Sequence, residues 1–245
     1  MQRGNMPDRT LIDDYRRNGV IVVPGLLSSL ELQDVRRRIE GYQGDRLKDL
    51  PAGDFTLEPD GKTVRNLWRM EQHDPFFLEF AGQSRFLDLV GPLVNGEPVL
   101  VGVETFNKPA LVGSAVPPHQ DNAYFCQSPA DVLTVWIAID PATPENGAVE
   151  YLLGSHGGLR PHRPSGVKGN SIGLVETPRD EFPRFLGTID AGDALIHHAQ
   201  TIHFSSSNRS PDSRLSLILV YRGKHTATDA DLKERYVNAF RMTNA

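Results

Sequence analysis

The first residues that could do chemistry together are His119 and Asp121, which flank Gln120. On an extended strand, side chains two positions apart project to the same side of the backbone, so this pair would offer one nitrogen and one oxygen ligand to a metal ion. A second histidine from a distant strand would complete two histidines and one carboxylate, the ligand set of non-haem Fe(II) oxygenases. By itself a His-x-Asp pair is weak evidence, because most such pairs occur by chance.

The downstream segment around His203 supplies a candidate for that second histidine and a candidate anion-binding residue. Turn-forming residues at Asn208-Arg209 precede a strand-forming run over residues 215–221, a pattern that indicates a β-hairpin. A hairpin centred on this turn would place His203 and Arg214 opposite one another on paired strands. Because a guanidinium binds a carboxylate through two parallel hydrogen bonds, Arg214 would hold the far carboxylate of a bound 2-oxoacid.

His197 and His198 also lie close to His203 in the sequence. Adjacent residues of a strand point to opposite faces, so only one of the two can share the face of His203, and counting by twos selects His197. Its side chain would either support the metal ligands or be a hydrogen-bonded core histidine, and we expect the core role. The remaining histidines stand in a turn or in polar, loop-like surroundings, where structural or solvent-exposed roles are the default: His73, His156, His162 and His225.

Ordered sequence blocks along the chain carry a resemblance to a known family. The blocks are residues 14–28, 119–124, 133–140, 145–148, 154–156 and 192–194, followed by His203, the Asn208-x-Ser210 turn and Arg214. In these blocks and in their order, the chain resembles the phytanoyl-CoA dioxygenase family of Fe(II)/2-oxoglutarate-dependent oxygenases over nearly its whole length. So many ordered blocks are far more specific than any single motif.

The resemblance implies a set of iron ligands and an activity. The implied ligands are His119, Asp121 and His203, and Arg214 is the implied principal residue for binding 2-oxoglutarate. With Fe(II), 2-oxoglutarate and O2, members of the family oxidise a C–H bond of the substrate and release succinate and CO2. The carboxylate of Asp121 favours hydroxylation over halogenation, because related halogenases carry a small residue there that leaves room for chloride. Desaturation, epimerisation and ring formation stay open.

Two further positions follow from the same resemblance, and two more carry open alternatives. Ser205 and Trp136 fall where similar proteins often line the 2-oxoglutarate pocket. An aromatic residue in an apolar strand is usually part of the core, so core packing and cosubstrate contact are equally open for Trp136. Lys108 would be either a second cation of the pocket or an exposed lysine on an edge strand. Cys126 is expected to be a small buried or pocket-wall residue, since no activating neighbour is evident.

Composition argues against several classes of protein. The formal net charge of -5 and the lack of a clustered basic stripe argue against nucleic-acid binding. No stretch approaches the roughly 20 apolar residues of a membrane span, and no apolar core of a secretory signal follows residues 1–8. The single cysteine forbids an intrachain disulfide, which is consistent with a reducing cytoplasm. We therefore expect a cytoplasmic enzyme without a membrane or nucleic-acid partner. The sequence indicates no particular oligomeric state.

The elements that must position these residues are helices near the start and strands thereafter. Helices are predicted over residues 8–18, 28–42, 76–81, 85–94 and 229–240, and Ser28 with Glu31 forms a capping-box pattern. Strands are predicted at residues 21–23 and 99–101, and strands then alternate with turns up to Arg222. Residues 44–74 and 157–184 are rich in Pro, Gly and charge, so we expect two long irregular surface segments that form the substrate mouth.

This order of elements predicts a mainly β fold with flanking helices. We expect a double-stranded β-helix, a cupin-like jelly roll of two sheets with helices packed on one face. Because β barrels and sandwiches often reach this size as one unit, residues 1–245 are expected to form a single oxygenase domain.

The substrate is expected to be a small metabolite or a natural-product intermediate. Arginines in the two irregular segments suggest an anionic group on it, although exposed arginines are more often simply solvated. The residues that could meet the substrate are Asn122, Tyr124, Phe125, Arg69, Arg179 and Arg184. The alternative is a jelly roll that holds another divalent metal as a hydrolase or isomerase, or a non-catalytic metal-binding module. The presence of every ligand and of Arg214 favours the oxygenase.

Overall fold

The computed structural model describes residues 9–178 and 180–244, so the prediction for residues 1–8 lies outside it. The helices are α1 (Arg9–Asn18), α2 (Ser29–Arg46), α3 (Met70–His73), α4 (Pro75–Ala81), α5 (Ser84–Val90), α6 (Asn122–Phe125) and α7 (Ala230–Asn244). The strands are β1 (Val20–Val23), β2 (Phe55–Leu57), β3 (Val64–Leu67), β4 (Pro98–Lys108), β5 (Val116–His119), β6 (Gln127–Ser128), β7 (Val132–Ala138), β8 (Val149–Leu152), β9 (His162–Val167), β10 (Asn170–Leu174), β11 (Arg184–Gly187), β12 (Ala194–His198), β13 (His203–Ser205), β14 (Arg214–Gly223) and β15 (Ala227–Thr228).

Two antiparallel sheets face one another across an apolar core. The larger has the order β1-β12-β7-β14-β4-β3-β2, and the smaller has the order β11-β8-β13-β5. Strands that are distant in sequence are neighbours in both sheets, so the chain crosses repeatedly from one sheet to the other. This arrangement is a jelly roll whose sheets stay open at their edges. The predicted fold class is therefore confirmed.

Strand β7 shows how the larger sheet is buried on both faces. All of its residues are buried. Leu133, Val135 and Ile137 belong to the core that the sheet shares with the helices, whereas Val132 and Trp136 belong to the core between the sheets. Because successive strand side chains alternate between faces, the even-numbered positions of β7 line the interior of the jelly roll. Burial of each large apolar side chain contributes about 1.5–3 kcal/mol.

Helix α2 belongs to the layer that covers the outer face of this sheet. Its amino terminus carries the predicted capping box: Ser28 Oγ accepts a hydrogen bond from the Glu31 backbone N–H, and Glu31 Oε2 accepts one from the Ser28 backbone N–H at 2.9 Å. Val35 and Ile39 of this helix are buried. Among the helices of the described residues, none is both long and apolar enough to cross a membrane.

The prediction that residues 44–74 form an irregular surface segment is wrong in part. Strands β2 and β3 come from this segment and extend the larger sheet, where Asn66 pairs with Phe106 of β4. All four residues of β3 are buried. A strand that is buried on both faces carries no polar alternation, and Arg65 and Asn66 also break the apolar run that would otherwise indicate it.

The second predicted irregular segment, residues 157–184, is also partly ordered. Strands β9 and β10 form an antiparallel pair within it, and every residue of β10 is buried. Helix α7 packs against both strands. Arg179 of this segment lies outside the described residues.

The predicted hairpin between His203 and Arg214 is not formed. Strand β13, which begins at His203, pairs with β5 and β8 in the smaller sheet, whereas β14, which begins at Arg214, lies between β4 and β7 in the larger sheet. Asn208 fixes the crossing: its side-chain amide donates to the backbone oxygens of Lys108 at 2.9 Å and Asp212 at 2.7 Å. The turn formers therefore mark a crossover between sheets, which local sequence does not distinguish from a hairpin.

Candidate metal centre

Two histidines face each other across paired strands of the smaller sheet. His119 is the last residue of β5 and His203 is the first of β13, and the two are register partners. Both side chains are buried, with 5% and 8% of the residue surface exposed, and their ring centroids lie 4.2 Å apart. The antiparallel pairing, which joins residues far apart in sequence, is what brings these two rings together.

Asp121 reaches the same place by a route that differs from the prediction. It does not continue the strand, because its backbone is already helical (φ -58°, ψ -32°) and it precedes α6. Its backbone oxygen accepts hydrogen bonds from Tyr124 N at 2.8 Å and Phe125 N at 3.0 Å, which fixes the turn. The carboxylate therefore lies beside His119 through a helical turn, and strand alternation was the wrong reason for their proximity.

The three side chains present their ligand atoms to one point. Oδ1 of Asp121 lies 3.4 Å from Nε2 of His119 and 3.4 Å from Nε2 of His203. All three ligand atoms lie within 4.8 Å of one another. Since bonds from a metal to nitrogen or oxygen are about 2.0–2.2 Å long, atoms at these separations can share one ion. The donor set, two imidazoles and one carboxylate, suits Fe(II).

Hydrogen bonds to the backbone orient both imidazoles for metal binding. Nδ1 of His119 lies 2.9 Å from the Pro117 oxygen, and Nδ1 of His203 lies 2.9 Å from the Thr201 oxygen. A carbonyl can only accept, so Nδ1 carries the proton in each ring and the Nε2 lone pair points into the site. Burial, followed by the neighbouring His119, lowers the pKa of His203 to about 3, which keeps the ring neutral.

The second oxygen of Asp121 is held by two donors from the larger sheet. Oδ2 accepts hydrogen bonds from Thr134 Oγ1 at 2.8 Å and from His197 Nε2 at 3.0 Å. The other ring nitrogen of His197 lies 3.2 Å from the Tyr151 hydroxyl, which donates to it. Burial would raise the pKa of Asp121, but the adjacent His203, His119 and His197 side chains hold it well below its usual value. The carboxylate is therefore ionised.

His197 thus contacts a candidate ligand, and the expectation of a plain core histidine is wrong. The alternation of side chains along one strand cannot relate His197 to His203, because β12 ends at His198 and a turn intervenes before His203. Only the tertiary structure turns His197 towards Asp121.

Arg214 is a buried guanidinium without a carboxylate partner. It is 1% exposed. Its Cζ lies 5.1 Å from the centre of the Trp136 ring and 5.6 Å from that of Phe106, and Nη1 donates to the Gly147 oxygen. Within residues 9–178 and 180–244, no carboxylate forms an ion pair with Arg214, and its Nε has no acceptor. Burial lowers its pKa to about 9, so the group stays charged at neutral pH and lacks an anion.

Trp136, which contacts this cation, shares a strand face with a residue that supports the metal centre. It lies two positions from Thr134 on the interior face of β7, and Thr134 binds Asp121. Trp136 is a core residue and contacts Arg214, and its contact with the cosubstrate stays a prediction. Ser205 is buried on β13, two positions after His203, and pairs with Val116 and Val149.

Lys108 is a buried amine next to Arg214. The two residues are register partners on β4 and β14, and Lys108 is fully buried, so an exposed edge-strand lysine is excluded. Its Nζ donates to the backbone oxygens of Ser114 at 2.6 Å and Ser206 at 2.7 Å. Burial, followed by the charge of Arg214, lowers its pKa to about 6.

Arg65, a second buried guanidinium, was not among the predicted site residues. It is the extra residue of a bulge between β2 and β3, and bulges commonly redirect a side chain. Its guanidinium donates to Asn170 Oδ1 at 2.9 Å, pairs with Glu58 at 3.4 Å and lies 5.1 Å from the centre of the Phe106 ring. Arg65 and Arg214 therefore share one aromatic ring.

The predicted substrate residues separate into two groups. Tyr124 lies next to the metal centre, since its ring makes an edge contact with His119 at 5.8 Å between centroids. Phe125 packs against the core between the sheets, and Asn122 is buried, with its amide bonded to the Gln127 oxygen. Of the three arginines predicted to meet the substrate, the two within the described residues are already paired with carboxylates. These pairs are Arg69 with Asp54 and Arg184 with Glu150.

Fold and site together define a jelly-roll protein with a two-histidine, one-carboxylate metal centre. Comparison with known proteins adds the family: the model for phytanoyl-CoA dioxygenase (PhyH) matches residues 15–216. The chain belongs to the phytanoyl-CoA dioxygenase family, whose members are non-haem iron, 2-oxoglutarate-dependent oxygenases. The predicted family is confirmed.

Individual relatives agree with this membership. The L-proline trans-4-hydroxylase of Streptomyces griseoviridis is 28% identical over 228 residues, which cover 84% of this chain and 83% of that protein. Among solved structures, the epimerase SnoN in complex with Fe3+, alpha ketoglutarate and nogalamycin RO superimposes with a TM-score of 0.72 at 24% identity, covering 91% of this chain and 88% of that one. EctD from S. alaskensis with 2-oxoglutarate and 5-hydroxyectoine gives a TM-score of 0.76 at 18% identity, with coverage of 91% and 79%. These structural likenesses show the fold.

Proposed function

We propose that this chain is an Fe(II)/2-oxoglutarate-dependent dioxygenase that hydroxylates a C–H bond of a small metabolite and releases succinate and CO2. The observation that carries the proposal is the pairing of the ligand cluster with Arg214, a buried guanidinium that has no carboxylate partner within the described part of the chain. A metal-binding cluster alone fits many enzymes. A metal-binding cluster together with a buried guanidinium that has no carboxylate partner indicates an enzyme that binds a dicarboxylate.

His119, Asp121 and His203 would hold the iron. With 2-oxoglutarate and O2, bound Fe(II) supplies the oxidising power for attack on an unactivated C–H bond. The chain's own contribution is orientation: backbone carbonyls fix the two imidazoles, and Thr134 with His197 fixes the free oxygen of Asp121. Partners of this kind typically change metal affinity by 10–100-fold when they are removed.

Arg214 would bind the carboxylate of 2-oxoglutarate that is distant from the metal. Trp136 and Phe106 cover the guanidinium and keep water from it, which strengthens a charge-assisted hydrogen bond. Ser205, buried on the strand that begins at His203, is proposed to line the same pocket. Lys108 lies beside Arg214, and its amine is already bonded to the backbone oxygens of Ser114 and Ser206.

A small-metabolite substrate is supported by the names of the relatives. One acts on L-proline, one structure contains 5-hydroxyectoine and another contains a nogalamycin compound. Two of the three arginines that suggested an anionic substrate, Arg69 and Arg184, give it no support, because both are paired with carboxylates.

The alternative function is a divalent-metal hydrolase or isomerase, or a non-catalytic metal-binding module. None of these functions requires the buried guanidinium of Arg214. A hydrolase needs a metal and water, and a buried cation that lacks an anion would only cost stability. We therefore place this alternative second.

We also propose that residues 1–245 form a single domain that acts in the cytoplasm. The family match over residues 15–216 and a core shared by the helices and the larger sheet support one domain. The single, buried cysteine, Cys126, supports a reducing compartment.

An anaerobic titration tests the main proposal. Addition of Fe(II) and then 2-oxoglutarate to the metal-free protein should produce a weak visible metal-to-ligand charge-transfer band. Asp121→Ala should abolish the band, whereas Asp34→Ala, at an exposed carboxylate paired with Arg37, should leave it intact. A protein that binds Fe(II) but shows no band at saturating 2-oxoglutarate would contradict the proposal and favour the hydrolase.

A further inference from the structure

Glu104 is a carboxyl group in the interior of the jelly roll. It lies on β4, and its register partner on β14 is Ile218, which in turn pairs with Trp136 on β7. Residues that are register partners share one face of a sheet. Trp136 and Ile218 belong to the core between the sheets, so Glu104 faces the same interior as the metal centre.

The neighbouring set of register partners on the same sheet face, two residues along each strand, includes two residues that contact the metal centre. Gly102, Val220, Thr134 and His197 follow one another across four strands, and the last two hold Asp121. At Gly102 an added Cβ would meet only Glu71 Oε2 within 4 Å, at 4.0 Å. Space is therefore open beside Glu104, on the side towards the candidate iron ligands.

Glu104 has no donor of its own. In the described ranges, 9–178 and 180–244, no hydrogen-bond donor and no cation lies within bonding distance of its carboxyl group. Other carboxylates nearby are satisfied: Glu58 by Ser114 and Arg65, Glu71 by the Val103 N–H, and Asp54 by Arg69 and His73. A partly buried carboxyl group without a donor is costly, and a ligand that supplies one removes the cost.

The surroundings of Glu104 favour a positively charged donor. Burial and the nearby carboxylates Asp121 and Glu71 raise its pKa to about 8, and the cation in range, Arg69, is already bound by Asp54. The ligand-free carboxyl group therefore holds a proton at neutral pH, and a bound cation favours its ionised form and releases that proton, whereas an anion is repelled by Asp121 and Glu71. The local field is therefore opposite in sign to that around Arg214.

We propose that Glu104 determines substrate specificity by binding an amine nitrogen, so that the substrate class is a small molecule with a basic primary or secondary amine. This inference rests on the proposed oxygenase function. It divides the interior into two parts: the positive part at Arg214 takes the dicarboxylate cosubstrate, and the negative part at Glu104 takes the amine of the substrate. The C–H bonds near that amine would then lie towards the metal centre.

The experiment uses the charge-transfer band of the anaerobic Fe(II) and 2-oxoglutarate complex as a reporter of substrate binding. The probes are matched pairs of small amines and their N-acetyl derivatives, with L-proline and N-acetyl-L-proline as the first pair. In the wild-type protein, amines should perturb the band and their N-acetyl partners should not. Glu104→Gln should retain the band but bind the amines about 10–100-fold more weakly, the effect of losing one charge-assisted hydrogen bond.

Two further variants separate recognition from folding. Glu104→Asp keeps the charge and should recover part of the lost affinity, whereas a purely structural role would make both substitutions alike. Glu97→Gln, at an exposed residue paired with Lys224, is the matched control and should bind the amines as the wild type does.

The outcomes distinguish this proposal from the one on which it rests. Absence of the band in the wild-type protein refutes the oxygenase function itself. A normal band combined with no preference for amines over N-acetyl compounds, or with equal amine affinity in Glu104→Gln, overturns the role of Glu104 alone.

Discussion

Arg214→Met is the sharpest test of how the cosubstrate is bound. The substitution keeps an apolar side chain of similar length between Trp136 and Phe106 but removes the guanidinium. In the protein without ligands, it deletes a buried cation that donates a hydrogen bond to the Gly147 oxygen. The lost hydrogen bond costs about 1–3 kcal/mol, and removal of an unpaired buried charge offsets that cost. The free energy of unfolding should therefore change by no more than about 2 kcal/mol.

The effect on 2-oxoglutarate should be much larger. A guanidinium fork makes two charge-assisted hydrogen bonds to a carboxylate, each contributing about 1.5–3 kcal/mol. Their combined loss, about 3–6 kcal/mol, corresponds to roughly 10²- to 10⁴-fold weaker binding, at about 1.4 kcal/mol per factor of ten. The affinity of Arg214→Lys for 2-oxoglutarate should lie between those of the wild type and Arg214→Met, because an ammonium supplies charge but not the planar fork.

The assay is an anaerobic 2-oxoglutarate titration of the Fe(II)-loaded protein, followed by the charge-transfer band, together with urea unfolding of the metal-free protein. Arg222→Met is the matched control, since Arg222 lies on the same strand and donates to the Thr226 oxygen. A folded Arg214→Met protein whose 2-oxoglutarate Kd lies within threefold of the wild type would refute the reasoning. So would a protein that no longer folds, because Arg214 would then be a structural residue.

Three further predictions concern the metal centre and Glu104. His119→Ala should lose the thermal stabilisation that Fe(II) gives the wild type, which is about 2.7 kcal/mol at 100 times Kd, and an equal rise in Tm would contradict the ligand assignment. Thr134→Val removes the 2.8 Å hydrogen bond to Asp121, so competition titrations should show 10–100-fold weaker Fe(II) binding, and an unchanged Kd would argue against this support. Because the pKa of Glu104 is raised from its ordinary 4.5 to about 8, the folded protein binds the extra proton between these values, and its stability falls as pH rises through that window. This loss of stability is about 1.4 kcal/mol per unit of pKa shift. Urea unfolding of metal-free Glu104→Gln should not show the loss. If the free energies of unfolding of the wild type and Glu104→Gln changed in parallel with pH, a raised pKa of Glu104 would be excluded.

The sequence alone determined which reactive side chains the protein carries. The types of side chain at His119, Asp121, His203 and Arg214, together with the order of the surrounding blocks, indicated a family that the comparisons confirm. Local rules also gave the capping box of α2, because a capping box depends only on residues three apart. The mainly β class followed from the alternation of strand-forming runs and turns.

Long-range pairing was decided only by the tertiary structure. Local patterns indicated a hairpin after His203, but the chain crosses between sheets there, and the register partner of His203 is His119. Asp121 reaches its place through a helical turn, and His197 turns to it from β12. None of these contacts depends on neighbours in sequence.

The interior polar groups were the hardest to foresee. Arg65, Lys108 and Glu104 lie on strands, and hydrophobic periodicity treats a charged residue as a sign of the surface. Whether such a residue points into the space between two sheets depends on strand register and on a bulge, and these are fixed by packing across the whole fold. The sequence therefore determined which reactive groups this protein carries, while the tertiary structure decided which of them meet, because burial and pairing are properties of the folded chain.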